Sequence, residues 1–340
     1  MTMAESASGI RPAVVGALPR SLYLETTNRC DSLCQTCIRT FESLEPPADL
    51  DLVRVRAIVE QFPVLDRVVL HGIGEPLLNR EIFDIVGFLK TRVAQVLFNS
   101  DAIGLTRARA ERLVASGLDE YRVSMDAATR ATYRRLRGVD RFEQVVANVR
   151  RLVTLQRGTD RLAPRVSLWF TASRQNIEEL PRFVQLAADL GVTEVYVQRL
   201  VFNGLGLATE ANALHGKLRE QEAARLAEAE ALAARHGVTM RASGLTTPLA
   251  SLEGSRESRR YWAGCQRPWT LAYVTANGNI LPCCISPWVA RDYDRLILGN
   301  AFTQPFDAVW DGERYQRFRT DFESDTPPDP CRGCGLAWSL

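Results

Sequence analysis

The 340-residue chain has 46% hydrophobic and 24% charged residues and a formal net charge of +2. This length predicts about two domains, with enough apolar residues for an ordinary packed core. The near-neutral charge argues against a nucleic-acid-binding or membrane-surface protein, and no apolar run approaches the ~18 residues of a membrane span. The first twenty residues contain Glu5 and no long apolar stretch, so they do not resemble a secretory signal and we expect a cytoplasmic protein.

From residue 21 to residue 200 the hydrophobic pattern alternates between strands and helices. The predicted strands cover residues 21–26, 67–70, 93–98, 121–125, 165–171 and 194–200. The predicted helices cover residues 51–62, 80–91, 106–116, 141–156 and 176–190. Six βα-type units predict an α/β fold with a parallel sheet and helices outside it, either open or barrel-like.

After residue 205 the pattern changes. Residues 209–236 have the composition and apolar spacing of a long amphipathic helix, and residues 243–260 predict a loop or lid. Two further strands, 271–274 and 279–282, flank an Asn-Gly pair that is typical of a hairpin turn. We therefore divide the chain into an N-terminal tail (1–20), a barrel (21–205), a bridging helix and loop (206–260) and a small C-terminal domain (261–340).

Eight cysteines are unusual in a chain that reads as cytosolic, where they more often bind metal or do chemistry than form disulfides. Cys30, Cys34 and Cys37 form a C-x3-C-x2-C run directly after the first strand. Three thiolates on one loop can ligate three corners of an iron–sulfur cube and leave the fourth iron open to an outside ligand. A zinc knuckle or three buried thiols are the alternatives. Zinc knuckles usually have a fourth ligand nearby, whereas the next Cys or His here is His71.

The other cysteines lie near the C-terminus. The predicted hairpin and the final C-x2-C pair can bring four thiolates together, enough to ligate a second cube completely; a four-cysteine zinc site is the alternative. These four are Cys265, Cys283, Cys331 and Cys334. Cys284 is left over as an alternative ligand, a buried thiol or a hydrogen-atom donor to a substrate radical.

A C-x3-C-x2-C loop after the first of six βα units resembles the radical S-adenosylmethionine (radical SAM) superfamily. The turn after the second strand is similar to the family's G-G-E or G-E-P turn, which contacts the methionine amino group; its residues are His71, Gly72, Ile73, Gly74, Glu75 and Pro76. Further family-like positions follow in order: Asn99, Ser124, Asp126, Arg137, Gly138 and Thr171. Thr36 departs from the family's pattern, which often has an aromatic residue at this position, near the adenine. Phe41 is the candidate replacement for that aromatic residue.

The resemblance implies a partial (β/α)6 TIM-like barrel that binds S-adenosylmethionine through a 4Fe-4S cluster. The C-terminal cysteines resemble the twitch domain, a short relative of the SPASM domain, which implies an auxiliary 4Fe-4S cluster. Their 18-residue spacing and terminal C-x2-C are similar to radical SAM enzymes of aminocyclitol and aminoglycoside antibiotic biosynthesis, which include dehydrogenases of the butirosin and spectinomycin pathways and the hygromycin B epimerase.

That resemblance implies oxidation of a secondary alcohol on an aminocyclitol-type sugar. A 5′-deoxyadenosyl radical would take a hydrogen atom, and the auxiliary cluster would accept an electron, leaving a ketone. The implied partners are the small-molecule substrate and an electron donor such as flavodoxin or ferredoxin. We name Arg199 and Asp292 as candidate catalytic residues because they are polar and lie near a strand end or the second cysteine site, and Cys284 as the unallocated thiol.

Three alternatives remain at this stage. An epimerase acting on a similar sugar would use Cys284 as its hydrogen-atom donor. A peptide-modifying twitch or SPASM enzyme is the second, although the twenty residues before the first strand are too few for an N-terminal peptide-recognition domain. The third is a non-catalytic iron–sulfur or zinc scaffold.

Overall fold

The computed structural model describes residues 10–158, 163–244, 246–254, 260, 262–289, 293–332 and 334. Within these residues, ten strands form one sheet: β1 (Ser21–Leu24), β2 (Arg67–Leu70), β3 (Gln95–Ser100), β4 (Glu120–Ser124), β5 (Arg165–Ala172), β6 (Glu194–Arg199), β7 (Thr239–Ala242), β8 (Leu271–Val274), β9 (Asn279–Leu281) and β10 (Gly299–Asn300). Their order is β10-β9-β8-β1-β2-β3-β4-β5-β6-β7. Pairs from β8 through β1 to β7 are parallel, whereas β9 is antiparallel to both of its neighbours.

Along the chain, helices lie between these strands up to β7, with two of them between β4 and β5, and six more follow β7. They are α1 (Leu52–Val59), α2 (Ile82–Lys90), α3 (Arg107–Ala115), α4 (Arg130–Arg137), α5 (Phe142–Gly158), α6 (Leu180–Leu190), α7 (Glu220–His236), α8 (Pro248–Glu253), α9 (Arg267–Thr270), α10 (Ser286–Val289), α11 (Phe306–Trp310), α12 (Glu313–Glu323) and α13 (Asp329–Arg332). Local signals explain several ends. The side chains of Asp51 and Thr106 cap α1 and α3, and α6 stops at Gly191, whose φ of +73° favours glycine.

The predicted fold class is confirmed, because the sheet is mostly parallel and TIM-like. All six predicted barrel strands are present, and the C-terminal hairpin forms as β8 and β9. Two features differ from the prediction. The bridging segment contains a parallel strand, β7, and α7 begins only at Glu220. The hairpin also joins the main sheet, since β8 pairs in parallel with β1, placing Ser21 opposite Leu271. The domain boundaries given above remain a prediction.

The interior side of the sheet carries a polar and aromatic layer beneath the carboxyl ends of the strands. Trp169 of β5 stacks on Tyr196 of β6 with ring centroids 4.1 Å apart, and the Arg122 guanidinium lies 4.5 Å from the centre of the Trp169 ring. Each of these side chains precedes, by two residues, a polar residue at the end of its strand. Because side chains alternate along a strand, those polar residues point to the same side, one layer nearer the strand ends.

Among the described residues, none of the helices combines the length and the apolar character needed to cross a membrane.

Candidate active site and iron–sulfur sites

One cavity lies at the carboxyl ends of the parallel strands, where α/β proteins usually build their sites. Its lining draws on the cysteine loop after β1, the turn after β2, the ends of β3 to β6, and the segment around α10 from the C-terminal part of the chain. Those lining residues include Cys30, Cys34, Cys37, His71, Gly72, Gly74, Glu75, Asn99, Asp101, Ser124, Asp126, Arg137, Thr171, Gln198, Ile285 and Trp288. The structure therefore brings together all three N-terminal cysteines and all but one of the predicted cofactor-binding residues.

The cysteine loop lies against the C-terminal end of α4. The backbone N–H groups of Leu33 and Gln35 donate to the carbonyls of Arg137 and Leu136, at 3.0 and 2.7 Å. Gly138 ends the helix with a φ of +70°, and a Cβ there would lie 2.2 Å from the Leu33 carbonyl oxygen. Glycine is therefore required both by the backbone conformation and by the close approach of the loop. The sequence analysis noted Arg137 and Gly138 but did not predict α4.

Burial keeps the three loop thiols protonated in the free protein. It raises the pKa of Cys34 to about 12 and that of Cys37 to about 11, and it raises the pKa of Cys30 further still. Iron binds thiolate, so cluster insertion has to displace these protons. Three thiols that line one cavity are a suitable donor set for a cube with one open iron.

The two glycines of the turn after β2 are needed for packing against β1 and the residues that follow it. A Cβ at Gly74 would lie 2.0 Å from the Thr27 carbonyl oxygen, and one at Gly72 would lie 2.2 Å from the Glu25 carboxylate. The sequence indicates these glycines only through their similarity to the family's turn, not through this packing. Pro76 is absent from the described lining of the cavity and instead starts a short 3-10 helix at residues 76–78, where its fixed φ is favourable.

Glu75 and Asp101 form a crowded acidic group at the cavity. Glu75 accepts hydrogen bonds from the Ser100 hydroxyl at 2.8 Å and from the Asp101 backbone N–H at 2.7 Å. Burial, and then the charge of Asp101, raise the pKa of Glu75 well above its usual range. A ligand ammonium would relieve this repulsion, as expected for a methionine amino group.

Elsewhere in the lining, Arg137 donates to Asp126 at 2.9 Å, and Asp126 also accepts from the Thr171 backbone N–H at 2.7 Å. Asp126 has a φ of +62°, in the left-handed region that non-glycine residues rarely adopt, a strain that often marks a functional site. The Nε of Arg137 and the Oδ1 of Asn99 are buried without a hydrogen-bond partner among the described residues. Because both residues line the cavity, these atoms are suited to a bound polar ligand.

Four of the C-terminal cysteines line a second cavity, whose other walls are mainly apolar. Its described lining consists of Cys265, Cys283, Cys331, Cys334, Trp262, Arg267, Pro268, Ile285, Phe318, Phe322 and Pro330. Four thiols around one pocket are the donor set expected for a complete cube. Cys284 is not among these lining residues: it is buried, and burial is the largest cause that raises its pKa, to about 11. The structure therefore places three cysteines at the first cavity, four at the second, and Cys284 outside the described lining of both.

The two cavities share one wall. Ile285 lines both, and Trp288, three residues later, stacks on His71 with ring centroids 6.2 Å apart and an interplanar angle of 13°. Burial, helped by the charge of Arg122, lowers the pKa of His71 to about 4, so the imidazole is neutral at pH 7. The sequence alone gives no catalytic role to His71 or Gln198, and the only signal for Ile285 and Trp288 is their closeness in sequence to Cys283.

The proposed catalytic role of Arg199 does not agree with its placement. Its guanidinium is buried and donates to the Ser251 carbonyl at 2.7 Å, which ties β6 to α8, and it is absent from the described cavity lining. Gln198 lines the cavity instead, because consecutive strand residues point to opposite faces. Asp292 lies outside the described residues.

Comparison with known proteins agrees with this arrangement. The family model of the Radical SAM superfamily matches residues 24–187, and that of SPASM, an iron-sulfur cluster-binding domain, matches residues 265–335. A PqqA peptide cyclase of Streptomyces rochei is 28% identical over 325 residues, which cover 94% of this chain and 82% of the cyclase. SuiB of Streptococcus suis, bound to S-adenosylmethionine, has a similar fold, with a TM-score of 0.68 at 19% identity over 95% of this chain and 72% of SuiB.

The structure of BtrN in complex with AdoMet and 2-DOIA has a TM-score of 0.47 at 16% identity, over 94% of this chain and 92% of BtrN. This similarity is too low to support an argument about the substrate. The domain matches give the cofactors: S-adenosylmethionine with a 4Fe-4S cluster in the N-terminal domain, and auxiliary iron–sulfur binding in the C-terminal domain. The chain is therefore a radical SAM enzyme with a C-terminal SPASM iron–sulfur domain.

Proposed function

We propose that this enzyme oxidises a secondary alcohol of an aminocyclitol-type sugar to a ketone. The observation that carries the oxidative part of the proposal is Ile285, which lines both the cavity of the N-terminal cysteines and that of the C-terminal cysteines. A substrate against Ile285 would be close to the thiols that would hold an electron acceptor. When bound, the cofactors supply hydrogen-atom abstraction at the first site and one-electron acceptance at the second. The alcohol loses a hydrogen atom from carbon, a proton from oxygen and one electron, which balances formation of the ketone.

The residues that would hold these groups follow from the two linings. We assign the open cluster to Cys30, Cys34 and Cys37, and the auxiliary cluster to Cys265, Cys283, Cys331 and Cys334. We assign S-adenosylmethionine to Gly72, Gly74, Glu75, Asn99, Ser124, Asp126, Arg137 and Thr171, with Pro76 shaping the turn. An external one-electron donor, such as flavodoxin or ferredoxin, would reduce the first cluster.

The substrate side of the cavity suits a polyhydroxylated ring. Trp288 offers an aromatic face, Gln198 offers an amide, and His71 offers a neutral imidazole that can accept a hydrogen bond from a substrate hydroxyl. We propose His71 as the proton acceptor in place of Arg199, because His71 lines the cavity and Arg199 is absent from its described lining. A base needs to lie within hydrogen-bond reach of the proton it takes, so placement outweighs residue type.

The test is anaerobic reconstitution followed by incubation with a panel of aminocyclitols, S-adenosylmethionine and a reductant. A product lighter than the substrate by two hydrogens supports the proposal. A product of unchanged mass in H2O that gains one deuterium in D2O would overturn it in favour of the epimerase reaction with Cys284 as hydrogen-atom donor. About eight irons per chain supports two cubes, whereas zinc without iron contradicts radical chemistry altogether.

Peptide modification is a second candidate, favoured by the comparisons. The PqqA peptide cyclase of Streptomyces rochei matches almost the whole chain, and SuiB bound to its precursor peptide SuiA has a TM-score of 0.64. The shared wall at Ile285 would serve oxidation of a peptide C–H bond equally well. Incubation with a PqqA-type peptide separates the two candidates: a peptide that loses two hydrogens, with every aminocyclitol unchanged, replaces the first proposal with the second.

A further inference from the structure

Arg267 is a buried cation beside the four C-terminal cysteines. It is 4% exposed, begins α9 two residues after Cys265, and lines the second cavity. An arginine guanidinium keeps its proton in proteins. The guanidinium therefore stays charged next to the metal-binding sulfurs.

The surroundings strengthen the effect of this charge. Apart from the cysteines, the other described residues that line the cavity are apolar, so Arg267 is the single formally charged side chain in that part of the lining which the structure describes. In such a low-dielectric environment a charge acts more strongly than it does at the surface. Arg11 also approaches this region, where it donates to the Cys265 carbonyl at 2.6 Å and pairs with Glu323 at 2.6 Å.

We propose that Arg267 makes the auxiliary cluster a better electron acceptor by raising its midpoint potential. A cube held by four thiolates is negatively charged, and reduction adds a further negative charge. A nearby buried cation stabilises the reduced form more than the oxidised form, which shifts the potential upward. The benefit to catalysis rests on the proposed function, in which this cluster receives the substrate electron, but the potential itself does not depend on the identity of the substrate.

The test is a redox titration of the full chain, followed by electron paramagnetic resonance. A background with Cys30, Cys34 and Cys37 each changed to Ala removes the first cluster, so that the auxiliary signal is observed alone. Arg267→Met should lower the midpoint potential by at least about 59 mV, which is a tenfold change in the ratio of reduced to oxidised cluster at fixed potential. Arg267→Lys should keep most of the parent potential because it keeps the positive charge.

Arg317→Met is the matched control, since it also removes a guanidinium. The Arg317 side chain on α12 is 83% exposed, so its charge is screened by solvent. The control should titrate like the parent. If Arg267→Met binds too little iron to titrate, Arg267→Gln gives the same comparison with hydrogen-bonding capacity retained. A parent-like potential in a neutral variant with full iron content overturns the proposal. So does loss of iron from both neutral variants while Arg267→Lys retains it, because that result assigns Arg267 a structural role.

These outcomes are separate from those of the proposed function. An unchanged potential in Arg267→Met, in an enzyme that still oxidises its sugar, overturns the role of Arg267 and leaves the proposed function standing. A lowered potential in an enzyme that oxidises no aminocyclitol supports the role of Arg267 and removes the proposed substrate.

Discussion

The carboxylate of Glu25 accepts a 2.8 Å hydrogen bond from the hydroxyl of Tyr273, and so joins the end of β1 to β8. The same carboxylate accepts from the backbone N–H groups of Ile73, at 2.8 Å, and Ala276, at 3.2 Å. One buried side chain thereby connects the turn at the cofactor cavity with the hairpin that leads to Cys283. Glu25 therefore links a segment that lines the first cavity to the strand that precedes Cys283.

Removing the charge of Glu25 should change how stability depends on pH. Burial is the main cause that raises the pKa of Glu25 from 4.5 to about 7, so the folded state binds this proton more tightly than the unfolded chain does. The resulting stabilisation is fully present below about pH 4.5 and is lost as the pH rises through about 7, a change of ~3 kcal/mol. Glu25→Gln should lack this component. Urea unfolding from about pH 5 to pH 8 measures it, and identical pH slopes in variant and parent would contradict it.

Asp126→Asn should destabilise the protein through loss of charge alone. Asparagine tolerates the left-handed φ of Asp126, but it leaves the buried guanidinium of Arg137 without its carboxylate partner. Breaking a buried ion pair on one side costs several kcal/mol, and we expect a loss of about 3 kcal/mol. Asp140→Asn is the control, because its pair with Arg130 is solvent-exposed and should contribute little. Equal shifts of the thermal midpoint in the two variants would contradict this account.

Much of the site could be predicted because its signals are local in sequence. The spacing of the cysteines indicated their division into groups, and the turn after β2 was indicated by its similarity to a family motif. The fold class followed in the same way from the alternation of apolar segments. Even so, the packing that requires Gly74 comes from the carbonyl of Thr27, which no local pattern in the turn reveals.

The rest depends on contacts between distant parts of the chain. The pairing of Ser21 with Leu271 joins residues on opposite sides of the predicted domain boundary, and four-residue strands carry too little periodicity to predict it. Deciding between Arg199 and Gln198 at the end of β6 required knowing which face of the sheet each side chain points to. That face reverses from one strand residue to the next. Trp288 enters the cavity only because the short helix α10 packs over His71, a tertiary contact without a sequence signature.

Cys284→Ala should leave both iron–sulfur sites intact. Cys284 is buried but is absent from the described lining of the second cavity, so the iron content should equal that of the parent. Stability should fall by about 1 kcal/mol through loss of a small packed group. Sugar oxidation should survive. Cys283→Ala is the neighbouring control and should lose iron; a loss of iron in Cys284→Ala as well would show that Cys284 is a ligand.

Trp288→Leu should separate cofactor cleavage from substrate oxidation. Trp288 belongs to the SPASM domain but lines the first cavity and stacks on His71, so its loss removes a wall of the substrate region and leaves the cysteine loop and the acidic group in place. We expect kcat/KM for the substrate to fall about tenfold, equivalent to about 1.4 kcal/mol. Cleavage of S-adenosylmethionine without substrate should continue, so the ratio of 5′-deoxyadenosine to product should rise.

Trp269→Leu is the control, since Trp269 packs against Phe322 and Arg11 and is not among the described lining residues. It should lower stability without changing the ratio of 5′-deoxyadenosine to product. If both variants raise the ratio equally, uncoupling follows from general destabilisation of the SPASM domain and not from the position of Trp288.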